Sequence, residues 1–280
     1  MIGFVGCGAM GRPMAEALRR AGHDTLGHDV RPLGEFEGFT VPMTETIAEL
    51  GRRASTVISV VRDSAQTRAV IEGLGLHRAP GQGHSVRTFI ISSTLSPRFV
   101  TGLREIVHPA IALVDAPMSG TTYRARLGTL TFMLGGAESD IAPLMPLFTA
   151  MGNEVHHLGP YGAGMAAKVL NNFVAAASVT AVRTVLSQAE ALGLAPSRLL
   201  SVMRSSSGGT WFGNNMEHIE WAAETHDPGN TLGILEKDVH AYLDGVTGGG
   251  VPDALTAAVL DRLRHLPDLP GNVFSDQEDD

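Results

Sequence analysis

The opening of the chain constrains its fold more than any other stretch. An apolar run over residues 2–5 breaks at Gly6-Cys7-Gly8-Ala9-Met10-Gly11, and a helical pattern follows as far as Gly22. A buried strand, a glycine turn and a helix, in that order, begin a parallel α/β unit. Gly6 permits the tight turn, Gly8 leaves backbone room for a pyrophosphate, and Gly11 lets the helix pack close to the strand. With Ala9 and Met10 between them, the first amides of the helix face an anion. Three glycines in a turn that binds nothing would look the same in isolation. Here the flanking strand and helix agree with the dinucleotide reading, and so does the acid Asp29, which ends a second strand expected over 25–28.

Asp29 is placed to accept hydrogen bonds from the adenosine ribose. A carboxylate there repels a 2′-phosphate, which favours NAD as cofactor over NADP. Arg31, two residues on, works the other way, because a guanidinium can take that phosphate; it can equally point to solvent before Pro32.

Further apolar runs at 57–61, 88–91, 111–115, 130–134 and 154–158 alternate with helical stretches, one of them 138–151. The alternation indicates a Rossmann-type, doubly wound parallel sheet. Ligands of such sheets gather at the carboxyl ends of the strands, so Val61, Arg62, Gln66 and Thr94 should line a cofactor crevice. Ser93-Thr94 serves equally well as an N-cap for the helix that starts at Pro97.

From Gly159 the sequence changes character. GPYGAGMAAKVLNNFVAAASVTAVRTVLSQAEAL has three early glycines, then helical period with no proline before Pro196. Such a helix is about 40 Å long and apolar on nearly every side, as a buried helix is. Lys168 is its one early charge, and Asn172 lies four residues on, on the same face. A lysine there either snorkels to the surface or is held where its proton is useful. Beyond it the pattern is helical throughout, with helices expected over 196–205, 212–224, 231–243 and 252–265. Lys237-Asp238, within the third, reads as part of a solvated face. The division expected is a dinucleotide-binding domain (1–160), a long interdomain helix (161–192), an all-helical substrate and oligomerisation domain (193–275) and an acidic tail (276–280).

Composition narrows the function. A net charge of −8 argues against nucleic acid or an anionic membrane as partner. The single cysteine, Cys7, permits no intrachain disulfide and suits a reducing cytoplasm. The N-terminus lacks the basic region of a signal peptide, and no apolar stretch is expected to span a bilayer. The eleven histidines form no H-e-x-x-H pattern, and His156-His157 in a strand point to opposite faces, so no metal is expected. What remains is a dinucleotide fold with a placed lysine and asparagine, which points to hydride transfer with Lys168 handling the proton.

The stretches GFVGCGAMGRPMA (3–15), SSTLSP (92–97), DAPMSG (115–120), GPYGAGMAAKVLNN (159–172) and KDV (237–239) occur in an order that resembles the β-hydroxyacid dehydrogenase family. That family includes 3-hydroxyisobutyrate dehydrogenase and tartronate semialdehyde reductase. The resemblance implies Lys168 as general acid/base and Asn172 as the residue that orients substrate and lysine. It implies Ser119 and the Gly120 amide as the grip on a substrate carboxylate, Thr94 at the cofactor, and Lys237 at the nicotinamide end. A homodimer or homotetramer built on the central helix is implied as well. The sequence departs from the family pattern at Thr121, where glycine often follows Ser-Gly, at Ile91, where an acid is common, and at Arg62, where proline is common. Thr121-Thr122-Tyr123 should narrow and polarise the mouth of the carboxylate site, which weighs against the usual small 3-hydroxy acid. The segment 205–212 should supply its far wall, with Trp211 and Phe212 as substrate contacts, although Trp211 serves equally well as interdomain packing. Competing readings are an imine reductase of the same fold, which generally lacks the lysine, a decarboxylating 6-phosphogluconate dehydrogenase, which is much longer in its helical part, a dinucleotide-binding redox sensor, and a scaffold protein.

Overall fold

In the computed structural model, which describes residues 1–274, the first apolar run forms β1 (Ile2–Val5), buried along its whole length. The glycine turn leads into α1 (Gly11–Arg20). There follow β2 (Thr25–His28), α2 (Ile47–Arg53), β3 (Thr56–Ser59), α3 (Ser64–Leu74), β4 (Thr88–Ile91), α4 (Pro97–Gly102) and β5 (Ala112–Asp115). The five strands are parallel, in the order β2-β1-β3-β4-β5. Successive strand residues face opposite ways. Phe4, Ile58, Ile90 and Val114 pack with Met14 and Leu18 of α1. Val5, Val57, Phe89 and Leu113 pack with Leu50 of α2 and Val70 and Leu74 of α3. Both faces are covered, and the strands are correspondingly continuous in apolar residues.

The later strands do not extend this sheet. β6 (Met118–Ser119), β7 (Leu130–Leu134) and β8 (Gly152–His157) form a second sheet in which β6 and β7 are antiparallel and β7 and β8 parallel. α5 (Thr122–Leu127) joins β6 to β7. The reason lies in the side chains: β7 alternates between buried and half-buried positions and β8 is mostly exposed, which suits a sheet covered on one face. The single helix expected over 138–151 is instead α6 (Glu138–Ile141), a 3₁₀ turn and α7 (Met145–Met151). Pro143 and Pro146 remove the amides a continuous helix needs there.

The chain divides into two compact units, Met1–Lys168 and the remainder from Val169. The boundary falls inside α8 (Ala163–Gln188), a helix of 26 residues. The second unit continues with α9 (Pro196–Arg204), α10 (Trp211–Asn215), α11 (Thr231–Thr247) and α12 (Ala254–Arg264). Its core is built by Ala176, Val179, Val182 and Leu186 of α8 with Leu232, Leu235 and Val239 of α11 and Val259 and Leu263 of α12. The helix expected over 212–224 stops at Asn215. The chain runs on as a 3₁₀ turn, Met216–His218, and Arg204 Nε donates at 3.2 Å to the Gly213 carbonyl, the acceptor that the Glu217 amide of a continued α-helix would use.

One expectation is corrected outright. α8 is long and apolar enough, by length and composition, to cross a membrane, with a mean hydropathy of 1.4 over its most apolar window. In this fold it serves as the core of the second unit, and its fully buried Arg183 donates to the carbonyls of Glu224 and Pro267. The acidic residues 276–280 lie outside the described residues.

Candidate active site

The glycine turn separates glycines needed by the fold from one that is not. Gly6 has φ +89°, and a Cβ on it would sit 2.4 Å from the Val60 carbonyl oxygen. A Cβ on Gly11 would lie 1.9 Å from the Gly6 carbonyl oxygen. Around Gly8 a Cβ would meet nothing within 4 Å, so packing does not require glycine there. Room beside Gly8 is what a pyrophosphate needs. Ala9 sits beside it, Met10 packs into the core beneath, and no side chain caps the start of α1; the Arg12 amide goes to the Gly8 carbonyl at 2.9 Å and Pro13 has none, so an anion would meet the amides of the glycine turn up to Gly11. A cavity of about 400 Å³ opens here, lined by Cys7, Gly8, Ala9, Arg12 and Arg31 among others. These residues fit a dinucleotide.

Asp29 follows β2 directly. The Cys7 amide donates to its Oδ2 at 2.8 Å, tying the second strand to the glycine turn. Arg31 folds back onto the same acid: its Nε donates to Oδ1 at 3.0 Å, and its guanidinium lies over the Phe36 ring at 4.8 Å. Burial works against the charged acid, but hydrogen bonds from Arg31 and the Cys7 amide outweigh it and hold Asp29 below its ordinary range. Arg31 therefore does not simply point to solvent. The Cys7 thiol is buried, and burial, with Asp29 adding to it, pushes its pKa up to about 12. A thiol so protonated is a poor nucleophile. A thiol reagent such as Ellman's at pH 8 should label the native protein far more slowly than the denatured one; equal rates would contradict the burial.

At the carboxyl ends of β3 and β4 the Val61 amide donates to Ser93 Oγ at 3.0 Å, the Arg62 amide to Gln66 Oε1 at 2.9 Å, and the Gln66 amide to Asp63 Oδ1 at 2.8 Å. Ser93 thus bridges two strand ends. It does not cap α4, whose N-cap is Ser96. Thr94, half-buried, follows it on the same rim.

Ser119 ends β6, paired with Thr131, and Gly120 has φ +137°, a conformation side chains disfavour. Thr121 caps α5, its hydroxyl accepting from the Arg124 amide at 3.4 Å. Its local role is therefore helix capping. Lys168 is buried on the second turn of α8. The start of that helix is held by a residue the sequence reading passed over. Asp115, fully buried, accepts from the amides of Gly162 at 2.6 Å and Met165 at 2.5 Å. Burial pushes its pKa up to about 6, the amides pulling against it.

In the second unit, Asn172 and Lys237 share one partner. Asn172 Nδ2 donates to Asp238 Oδ2 at 2.6 Å, and Lys237 Nζ lies 2.8 Å from Asp238 Oδ1. Asn171 Nδ2 donates to Asn172 Oδ1 at 3.1 Å, so the Asn172 amide is held in one orientation. Asp238 is 2% exposed, which corrects the expectation of a solvated Lys237-Asp238 face. The signal was present in the spacing: Asp238 stands three residues after Leu235, on the apolar side of α11. Of the aromatic pair, Trp211 is 55% exposed, whereas Phe212 is buried and stacks on Trp221 with centroids 5.6 Å apart. Phe212 is a core residue of the second unit.

Residues 1–159 match the family described as the NAD binding domain of 6-phosphogluconate dehydrogenase, and residues 162–269 that described as the NAD-binding domain of NADP-dependent 3-hydroxyisobutyrate dehydrogenase. Human mitochondrial 3-hydroxyisobutyrate dehydrogenase is 29% identical over 90% of this chain and 77% of its own length. L-threonate dehydrogenase of Cupriavidus necator is 30% identical over 92% of this chain and 87% of its own. The structure of Mycobacterium tuberculosis 3-hydroxyisobutyrate dehydrogenase with L-serine covers 96% of this chain and 95% of that one, at 28% identity and a TM-score of 0.78. With a glycine cradle shaped for a dinucleotide and a buried lysine on the helix that follows the sheets, the chain belongs to the β-hydroxyacid dehydrogenase family and is an NAD(P)-dependent oxidoreductase acting on a hydroxyl-bearing carbon.

Proposed function

We propose that this enzyme moves a hydride between nicotinamide and the alcohol or aldehyde carbon of a small 3-hydroxy acid, with Lys168 as general acid/base. The observation that carries this reading is Lys168 itself, buried on the helix whose first turn Asp115 holds. When bound, the nicotinamide supplies or takes up the hydride. Lys168 donates a proton to the carbonyl oxygen in reduction and accepts the hydroxyl proton in oxidation. Ser119 and the Gly120 amide take the substrate carboxylate. Asn172, held by Asp238 and Asn171, orients the substrate hydroxyl, and Lys237, charge-paired with Asp238, serves the nicotinamide end. The names of the relatives and the L-serine in the mycobacterial structure support a short hydroxy acid. Nicotinamide absorbance, followed with 3-hydroxyisobutyrate, L-threonate, L-serine and the matching semialdehydes, tests this. Turnover of at least one is expected; silence across the panel with cofactor bound would overturn the substrate class.

NAD is the preferred cofactor in this reading, because Asp29 keeps its charge beside the ribose site. Asp29→Ala should weaken NAD binding by about ten- to a hundredfold, the worth of one or two charged hydrogen bonds, and NADP binding by less. Fluorescence titration measures both; tighter binding of NADP by the unaltered protein would reverse the preference.

A homodimer or homotetramer is supported by α8. Leu170, Val174 and Val185 are 52%, 64% and 40% exposed and fall on one stripe of the helix. Light scattering should give a multiple of the 29.5 kDa chain mass, and Val174→Glu should lower it. A monomer at micromolar concentration would exclude the assembly.

A further inference from the structure

Three backbone segments of the first unit meet at Asp115. Its own amide donates to the Gly135 carbonyl at 3.0 Å, and the Gly135 amide returns a bond to the Asp115 carbonyl at 2.8 Å, joining the ends of β5 and β7. Its carboxylate takes the Gly162 and Met165 amides at the entry to α8. The fit leaves no space. A Cβ on Gly135 would lie 2.3 Å from Asp115 Oδ1 and 2.8 Å from the Gly164 nitrogen, and a Cβ on Gly164 would lie 2.3 Å from the Met133 carbonyl oxygen.

Two candidate groups leave this node by short, rigid paths. Along the helix, Met165 precedes Lys168 by three residues, under one turn, so a displaced first turn displaces the lysine. Along the chain, Asp115 precedes Ser119 by four residues, and these are pinned throughout: the Ala116 amide donates to Ile91, the Pro117 carbonyl accepts from Met133, and Met118 and Ser119 pair with Phe132 and Thr131.

We propose that Asp115 is a positioning residue, a carboxylate that fixes the helix bearing Lys168 against the strand end leading to the Ser119–Gly120 turn. The proposal rests on the reading of Lys168 as acid/base. A buried carboxylate with amide donors on both oxygens gives a fixed distance where a neutral cap would leave play. Proton transfer is sensitive to that distance, and a displacement near 1 Å costs on the order of a hundredfold.

Asp115→Asn keeps the shape but turns an NH₂ toward one of the two amides. Expected are a kcat lower by about ten- to a hundredfold, a cofactor Kd within about twofold of the unaltered protein, and faster hydrogen exchange confined to residues 162–168. Gly135→Ala loads the same contact from β7 without altering the carboxylate and should give the same split. Unchanged kcat in either folded variant, or a loss of kcat with cofactor binding and exchange protection lost throughout, would overturn the proposal; so would failure of both variants to fold, which assigns Asp115 to folding alone. If the unaltered protein turns over nothing in the substrate panel, it is the proposed substrate class that has failed; exchange at 162–168 then decides the anchor, and unchanged exchange there in Asp115→Asn would overturn it.

Discussion

Lys168→Ala is expected to lower kcat by about 10²–10⁴-fold while leaving cofactor binding within about twofold. The loss should fall on kcat and kcat/KM alike, as it does when the missing interaction forms only in the transition state. Alanine suits the interior of α8 better than lysine does, so the helix itself should not suffer. Lys168→Arg makes the prediction sharper. A guanidinium keeps the positive charge but does not release its proton in a usable pH range, so arginine should be nearly as inactive as alanine. Steady-state rates with the best substrate of the panel, beside a fluorescence titration of the cofactor, check both. If Lys168→Arg kept most of the turnover, the lysine would act through its charge alone, and the acid/base assignment would fall.

The second large effect concerns the glycine turn, where neighbouring glycines should fail in opposite ways. Gly11→Ala places a methyl 1.9 Å from the Gly6 carbonyl oxygen, which is backbone and cannot swing aside. The start of α1 or the turn must move, at a cost of about 3 kcal/mol or more for overpacking. For a chain of this size, with about 2.1 cal/mol/K of unfolding entropy per residue, that is a fall of roughly 5 °C in Tm. Gly8→Ala meets nothing within 4 Å and should melt within about a degree of the unaltered protein. Its methyl nevertheless occupies the room beside the helix start that a pyrophosphate needs, so cofactor affinity should fall by tenfold or more. Calorimetry without cofactor, followed by titration, separates the two. A destabilised Gly8→Ala with normal affinity would contradict the assignment of that space to the ligand.

Much of the first unit was legible along the chain because strand and helix patterns repeat within a few residues. The apolar run at 2–5, the turn at Gly6–Gly11 and the acid after β2 are local signals, and each emerges in its expected place. Lys168 and Asn172 were related by nothing more than helical spacing. The errors have local origins as well. Pro143 and Pro146 divide a helix that apolar spacing alone would continue.

By itself, then, the sequence determined the α/β unit, its dinucleotide turn and the long helix with its lysine. Each depends on residues close together in the chain, where side-chain period and backbone freedom decide the outcome. Only the tertiary structure decided what holds those parts. Asp115 reaches amides 47 and 50 residues away, and Asp238 reaches Asn172 across 66. The tertiary structure likewise turned Arg31 onto Asp29, drew Phe212 into the core and set β6, β7 and β8 apart as a second sheet. A carboxylate carries no local mark of which amide it will meet. That is settled when the strands take their order and burial leaves each charged group only the donors the topology has brought beside it.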